Sequence, residues 1–256
     1  MRPRDLIPLA LIGGIGAFLA FQVADRPAPL PRATPPADAP VVAQAASVAS
    51  DVEVTAAAAP PPARDEAAIR VMLQDGAPGT YIMDLLDQQD RKLVRWPERQ
   101  ADHLRVWIER TPAVANWDEE YPLVTERAFA EWRAAGFPLA FQFVHDSASA
   151  QIHIRWRQQF SAADGRQIGV TSKWVDGSGW IVSAGIALAT HDVHGQPLPP
   201  DIIAGVARHE IGHALGLGHS PHTGDVMFPE SRTPAISASD RATLHLLYKL
   251  PPGLMR

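Results

Sequence analysis

The chain of 256 residues has no cysteine. This excludes disulfide bridges, cysteine-held zinc and thiol nucleophiles. Charge of one sign is also scarce: 23 Lys and Arg against 28 Asp and Glu leave a net charge of -5. So mild a balance carries no electrostatic footprint for nucleic acid. Long apolar runs are nearly missing. The one present, Leu6 to Val23, is broken only by Gln22 and follows Arg2 and Arg4. Positive residues before a run of about 18 apolar ones read as an export signal or a bilayer anchor. Pro8, Gly13, Gly14 and Gly16 weaken it as a lasting helix, and no clean A-x-A cleavage site follows. Residues 1–24 are therefore read as a signal peptide or a membrane anchor, both choices staying open. Either one predicts an exported protein, secreted or anchored to the outer face of the cytoplasmic membrane, with the positive end left inside.

Residues 25–64 have almost no large apolar side chains and are roughly half Ala and Pro, a composition of extended, unpacked linkers. They cannot offset their own ordering entropy and are expected to be a disordered tether. The apolar fraction of 46% is enough for a packed core. The length allows one domain with appendages or two small ones.

What the chain does contain is concentrated between Val206 and His219, V-A-R-H-E-I-G-H-A-L-G-L-G-H. His209 and His213 are four apart, so on a helix they lie one turn above each other on one side. Two imidazoles at that spacing can grip one zinc ion. Glu210 follows the first and lies beside the metal, where a general base for a metal-activated water is needed. Gly216 can take φ > 0 and stop the helix, so that the chain turns and brings back His219 as third ligand. Three protein ligands leave a fourth position open, the layout of a catalytic zinc rather than a structural one.

This H-E-x-x-H-x-x-G-x-x-H pattern, followed by Asp225-Val226-Met227-Phe228-Pro229, resembles the metzincin metalloproteases. Ser220 directly after the third histidine points to the matrixin branch, of bacterial type. The resemblance implies an α+β fold: a twisted, mostly parallel five-stranded sheet, a zinc-binding helix, a Met-turn and a C-terminal helix. It also implies that Met227 is the apolar floor beneath the zinc.

The rest of the chain is consistent with that fold. Leu104, Val106 and Ile108 alternate as a half-buried strand. Tyr121 to Ala135 reads as a helix with Val124, Ala128 and Trp132 on one face, ended by Gly136. Leu139, Phe141 and Phe143, then Ile152, Ile154 and Trp156, alternate as two further strands. Ile168 to Val175 and Trp180 to Thr190 read as two more, around Asp176-Gly177-Ser178-Gly179. By the resemblance, the first of that pair is the sheet edge that receives extended substrate. Asp201 is the expected N-cap of the zinc helix, with Ile202, Ile203 and Val206 on its buried face. Ser237 and Asp240 form a capping box for a last helix, with Leu244, Leu247 and Tyr248 inside and Pro251-Pro252 at its end. The catalytic domain is thus assigned to residues 99–256. Residues 65–98 are a pre-catalytic segment, a prosegment remnant or a collar. Within it Asp65 to Leu73 suits a short helix, and Tyr81 to Leu86 a helix or a strand.

Two departures from the family stand out. Without cysteine, a thiolate block of the zinc is impossible. The stretch from Gln158 to Gln167 has no histidine for a second, structural zinc. His191, Asp192 and His194 offer a second metal site or a solvated loop. His103, His145, His153, His222 and His245 are assigned ordinary surface or core roles, and Glu119-Glu120 a helix N-terminal charge cluster. The function this predicts is a zinc endopeptidase acting on peptide or protein substrate as a monomer, with Glu210 as base. Calcium is a possible further ion. The alternatives are a zinc-containing peptide-binding domain without catalysis and a structural zinc module.

Overall fold

In the computed structural model the described residues are 66–98, 103–110, 112–160, 167–230 and 235–254. The expected signal or anchor and the linker lie outside them. The elements in chain order are α1 (Glu66–Gly76), α2 (Ile82–Gln88), β1 (Lys92–Leu93), β2 (His103–Ile108), α3 (Glu120–Ala134), β3 (Ala140–Phe143), β4 (Ile152–Arg157), β5 (Gly169–Val175), β6 (Ile181–Ala189), α4 (Pro200–Ala214), α5 (Ala238–Lys249) and β7 (Gly253–Leu254).

Five strands form one sheet in the order β3-β2-β4-β6-β5. Four run parallel, and β5 at the edge runs antiparallel to β6. Alternation decides which side chains enter the core. Leu104, Val106 and Ile108 of β2, Ile152, Ile154 and Trp156 of β4, and Ala184, Ile186 and Leu188 of β6 are all buried. Each Leu or Ile so placed contributes about 1.5–3 kcal/mol. The intervening His103, Arg105, Arg155 and Arg157 face out and are exposed. Helices α3 and α4 pack together, tied by the Trp132 indole N–H, which donates to the Arg208 carbonyl at 2.8 Å. This is the α+β architecture, with a mostly parallel sheet, that the family resemblance implied.

Two expectations at the zinc helix need correction. The N-cap of α4 is Pro199, without a side-chain cap, and Asp201 sits inside the first turn. Pro200 at the helix start has no N–H, so one of the donors a cap would satisfy does not exist. Asp201 acts on the helix dipole instead. Ile203 is fully buried, but Ile202 is 42% exposed. At the last helix the Ser237–Asp240 capping box is present as expected.

The described part of the pre-catalytic segment, residues 66–98, joins the same core. α1 buries no residue. The stretch read as helix or strand is helix, and its Tyr81, Ile82, Leu85 and Leu86 are at most 1% exposed. β1 pairs antiparallel with β7, closing the start of this unit on its end. Trp96 is fully buried, and its indole N–H donates to the Ala214 carbonyl at 2.8 Å.

Candidate metal centre

Helix α4 carries His209 and His213 on one side, and its C-terminus sends the chain back toward them. Leu217 N–H donates to the Gly212 carbonyl and Gly216 N–H to that of His213, both at 3.0 Å. Together these make a Schellman closure. Gly216 has φ 107°. A side chain there would be strained, and its Cβ would also meet the Val94 carbonyl oxygen at 2.3 Å. The turn delivers His219. Nε2 of His213 lies 3.1 Å from Nε2 of His209 and 3.2 Å from Nε2 of His219.

Which nitrogens carry protons follows from their other partners. His209 Nδ1 is 2.7 Å from the Val226 carbonyl oxygen, and His213 Nδ1 is 3.0 Å from that of Leu217. A carbonyl can only accept, so each Nδ1 donates and each neutral ring keeps its Nε2 lone pair. Two lone pairs facing at 3.1 Å repel unless a cation lies between them. Zinc–nitrogen bonds of about 2.0–2.1 Å in a tetrahedral site place ligand nitrogens roughly 3.3 Å apart, close to what is found. The donor set therefore fits zinc. Among the described residues these three histidines form the cluster able to hold a metal. The protonation tendencies agree. Burial pushes His209 below 6.5. Burial, then the neighbouring His209 and His219, push His213 well below it. Burial, His209 and Lys173 bring His219 to about 4. All three are neutral and ready to ligate at neutral pH.

Glu210 is 6% exposed. Burial raises its carboxyl to about 7, opposed by a hydrogen bond from Thr171 and by the charge of Lys173. The edge strand β5 grips it. Thr171 Oγ1 lies 2.6 Å from Oε2 and 2.9 Å from the Glu210 carbonyl oxygen. Gly169 lies against the other carboxylate oxygen, and a Cβ there would stand 2.6 Å from Oε1. The half-buried Lys173 is two residues beyond Thr171 on the same strand face, and burial lowers its ammonium to about 8.

Beneath the histidines, Met227 is fully buried against α4. A Cβ on Gly212 would meet its sulfur at 2.3 Å, so the glycine inside the motif makes the room. The turn around Met227 hangs on Asp240. That buried carboxylate accepts from Val226 N–H at 2.8 Å, Met227 N–H at 3.4 Å, Ser237 N–H at 3.0 Å and the Tyr81 hydroxyl at 3.1 Å. Ser220 donates to Asp225, and Ser220 N–H reaches the Met227 carbonyl at 2.8 Å.

Residues 95–249 match the Matrixin family model, well over half of the chain. This chain is a matrixin. It is also similar to Metalloendoproteinase 5-MMP of Arabidopsis thaliana, 31% identical over 163 residues that cover 57% of this chain. The alignment spans 41% of the relative's own length. Matrixins bind zinc, and both matches support a zinc metalloprotease-like function. The relative is a plant protein and lends no support to the bacterial type expected from the sequence.

The second metal cluster considered for this matrixin does not assemble. His191 is 2% exposed, with Nδ1 2.9 Å from Thr190 Oγ1 and Nε2 3.4 Å from Asn116 Nδ2. Asp192 turns one oxygen onto the backbone N–H groups of His194 and Gln196, at 2.9 and 2.8 Å, and so builds the loop. His194 is exposed. Sequence reading missed Gly169, Thr171 and Lys173 because nothing in a short strand marks a catalytic neighbour. It found Asp240 only as a helix cap, since its long-range partners are set by folding.

Proposed function

We propose that this matrixin is a zinc-dependent endopeptidase in which His209, His213 and His219 hold the zinc and Glu210 is the general base. The observation that carries this reading is three converging Nε2 atoms beside a buried, strand-held carboxylate. A bound zinc supplies Lewis-acid polarisation of the scissile carbonyl and acidifies a water. Glu210, adjacent to His209 in α4, takes the proton from the attacking water and hands it to the leaving amine. Thr171 and Gly169 hold its carboxylate in one orientation for both transfers. Met227 supports the helix turn between His209 and His213 from below. β5 pairs with β6 on one side only among the described residues. Its other edge suits an extended peptide added as a further strand. We further propose that residues 1–24 act as a signal peptide or anchor, that residues 25–64 are a tether and that the enzyme works as an exported monomer.

The second reading is a zinc-containing domain that binds peptides without cleaving them. Glu210 disfavours it, because a buried carboxylate raised to about 7 costs stability and serves no purpose in a pure binder. Metal analysis and a peptide-library digest discriminate. Wild type carries about one zinc per chain, and His213→Ala loses it. Glu210→Ala keeps zinc and fold but loses turnover by about a hundredfold or more. Full turnover in Glu210→Ala removes that residue from the mechanism, and no cleavage of any peptide by wild type leaves the binding domain.

A further inference from the structure

We propose that the segment Tyr81–Leu93 is a permanent part of the metal centre, with Gln88 as the positioning residue of the third histidine. The proposal rests on the zinc reading above and deepens it. The segment lies before the stretch 95–249 that matches the matrixin family, so family membership assigns it no role.

The side-chain amide of Gln88, last residue of α2, faces the backbone of His219 and pairs with it on both sides. His219 N–H donates to Gln88 Oε1 at 2.7 Å. Gln88 Nε2 donates to the His219 carbonyl at 2.8 Å. An amide so engaged copies one rung of a β-ladder. His219 sits after the end of α4, on a loop without helix or strand to fix it. Its ring is the one of the three for which no carbonyl holds Nδ1 among the described hydrogen bonds, so its aim depends on its backbone. The next residue of α2's end, Gln89, sends Nε2 to the Gly216 carbonyl at 3.3 Å, on the same loop. Gly218 leaves the approach open, since a Cβ there would stand 2.8 Å from Gln88 Oε1.

The helix that presents Gln88 is itself anchored. Leu85 and Leu86 are fully buried. At its other end Tyr81 N–H donates to Thr243 Oγ1 at 3.0 Å, and the Tyr81 hydroxyl reaches Asp240, which carries the turn around Met227. One short helix thus reaches the loop of the third histidine directly and the turn around Met227 through Asp240. A removable prosegment would not supply the zinc loop's hydrogen bonds or the floor's core contacts. Removing this one would unfasten both.

The test measures zinc affinity by competition with a chromophoric chelator, and melting of the metal-free protein, on the full chain. Gln88→Leu keeps the stem and removes both hydrogen bonds. Its zinc dissociation constant rises on the order of threefold to tenfold, with metal-free melting near that of wild type. Gln88→Glu retains only the acceptor for His219 N–H and falls between the two. Asp87→Ala, on the exposed side of the same turn, keeps wild-type affinity. Mass spectrometry of the hydrolytically competent species still finds residues 81–93. Unchanged affinity in both Gln88 variants overturns the proposal, as does an equal loss in Asp87→Ala or a competent species that begins beyond Leu93. If Gln88→Leu fails to fold, Gln88→Glu alone decides. A wild-type chain that binds no zinc overturns the zinc reading itself, which is a separate result.

Discussion

Thr171 shows how much one hydroxyl can govern at this site. It has a single proton and two acceptors of Glu210 within reach, at 2.6 and 2.9 Å. Donating to Oε2, it stabilises the charged carboxylate that burial disfavours. Thr171→Val keeps the shape and removes that bond. Turnover should fall about tenfold with zinc content and KM unchanged, and Thr171→Ser should restore it. A valine variant with wild-type kcat would show that Gly169 and the helix hold Glu210 unaided. The histidines give a second expectation at this scale, for the metal-free protein. Their lowered values mean that the unfolded chain takes up protons before the folded one does. The stability they contribute is complete above 6.5 and is lost as pH falls through about 4, where His219 titrates. Glu210, raised to about 7, acts in the opposite sense, because its folded form gains relative stability as pH falls from about 7 towards 4.5. Three imidazoles outweigh one carboxylate, so metal-free melting temperature should drop between pH 6.5 and 4. A scan that is flat or rising over that range would contradict the burial of the triad.

At the level of elements, the loop around Met227 and the helix α5 behave as one piece through Asp240. The carboxylate satisfies two N–H groups of the turn, one at its own helix start and the Tyr81 hydroxyl. Asp240→Ala would strand these buried donors and cost about 3–5 kcal/mol, lowering the melting temperature by roughly 10 °C. A variant melting within about 2 °C of wild type would mean that water replaces the carboxylate. The capping box alone predicts a loss of only about 1 kcal/mol. The size of the effect therefore separates a local cap from a hub.

For the whole molecule, the boundary between tether and folded unit is the testable matter. Residues 25–64 have little to bury, whereas Tyr81, Ile82, Leu85 and Leu86 are inside the core. Deleting residues 1–64 should leave melting temperature and peptide turnover unchanged. Deleting residues 1–93 should abolish cooperative folding, because each large apolar group lost from a core costs about 2–5 kcal/mol. A stable, cooperatively melting protein that starts after Leu93 would return the segment to the status of a removable appendage.

The sequence by itself determined whatever depends on short spacing. Histidines four apart share a helix side, Gly216 ends that helix, alternating apolar residues make half-buried strands and Ser237 with Asp240 caps a helix. These are properties of local geometry, so His209, Glu210, His213 and His219 were legible as a candidate set, and Met227 only through the family resemblance. Asp201 misled because a local preference for capping ignored the proline before it. Only tertiary structure decided which distant groups meet them. Gln88 lies 131 residues from His219, Thr171 lies 39 from Glu210, and Tyr81 lies 159 from Asp240. Such pairings have no period and no motif. They exist because burying the apolar face of α2 and pairing β5 with β6 carry polar side chains to groups of the metal site that need partners.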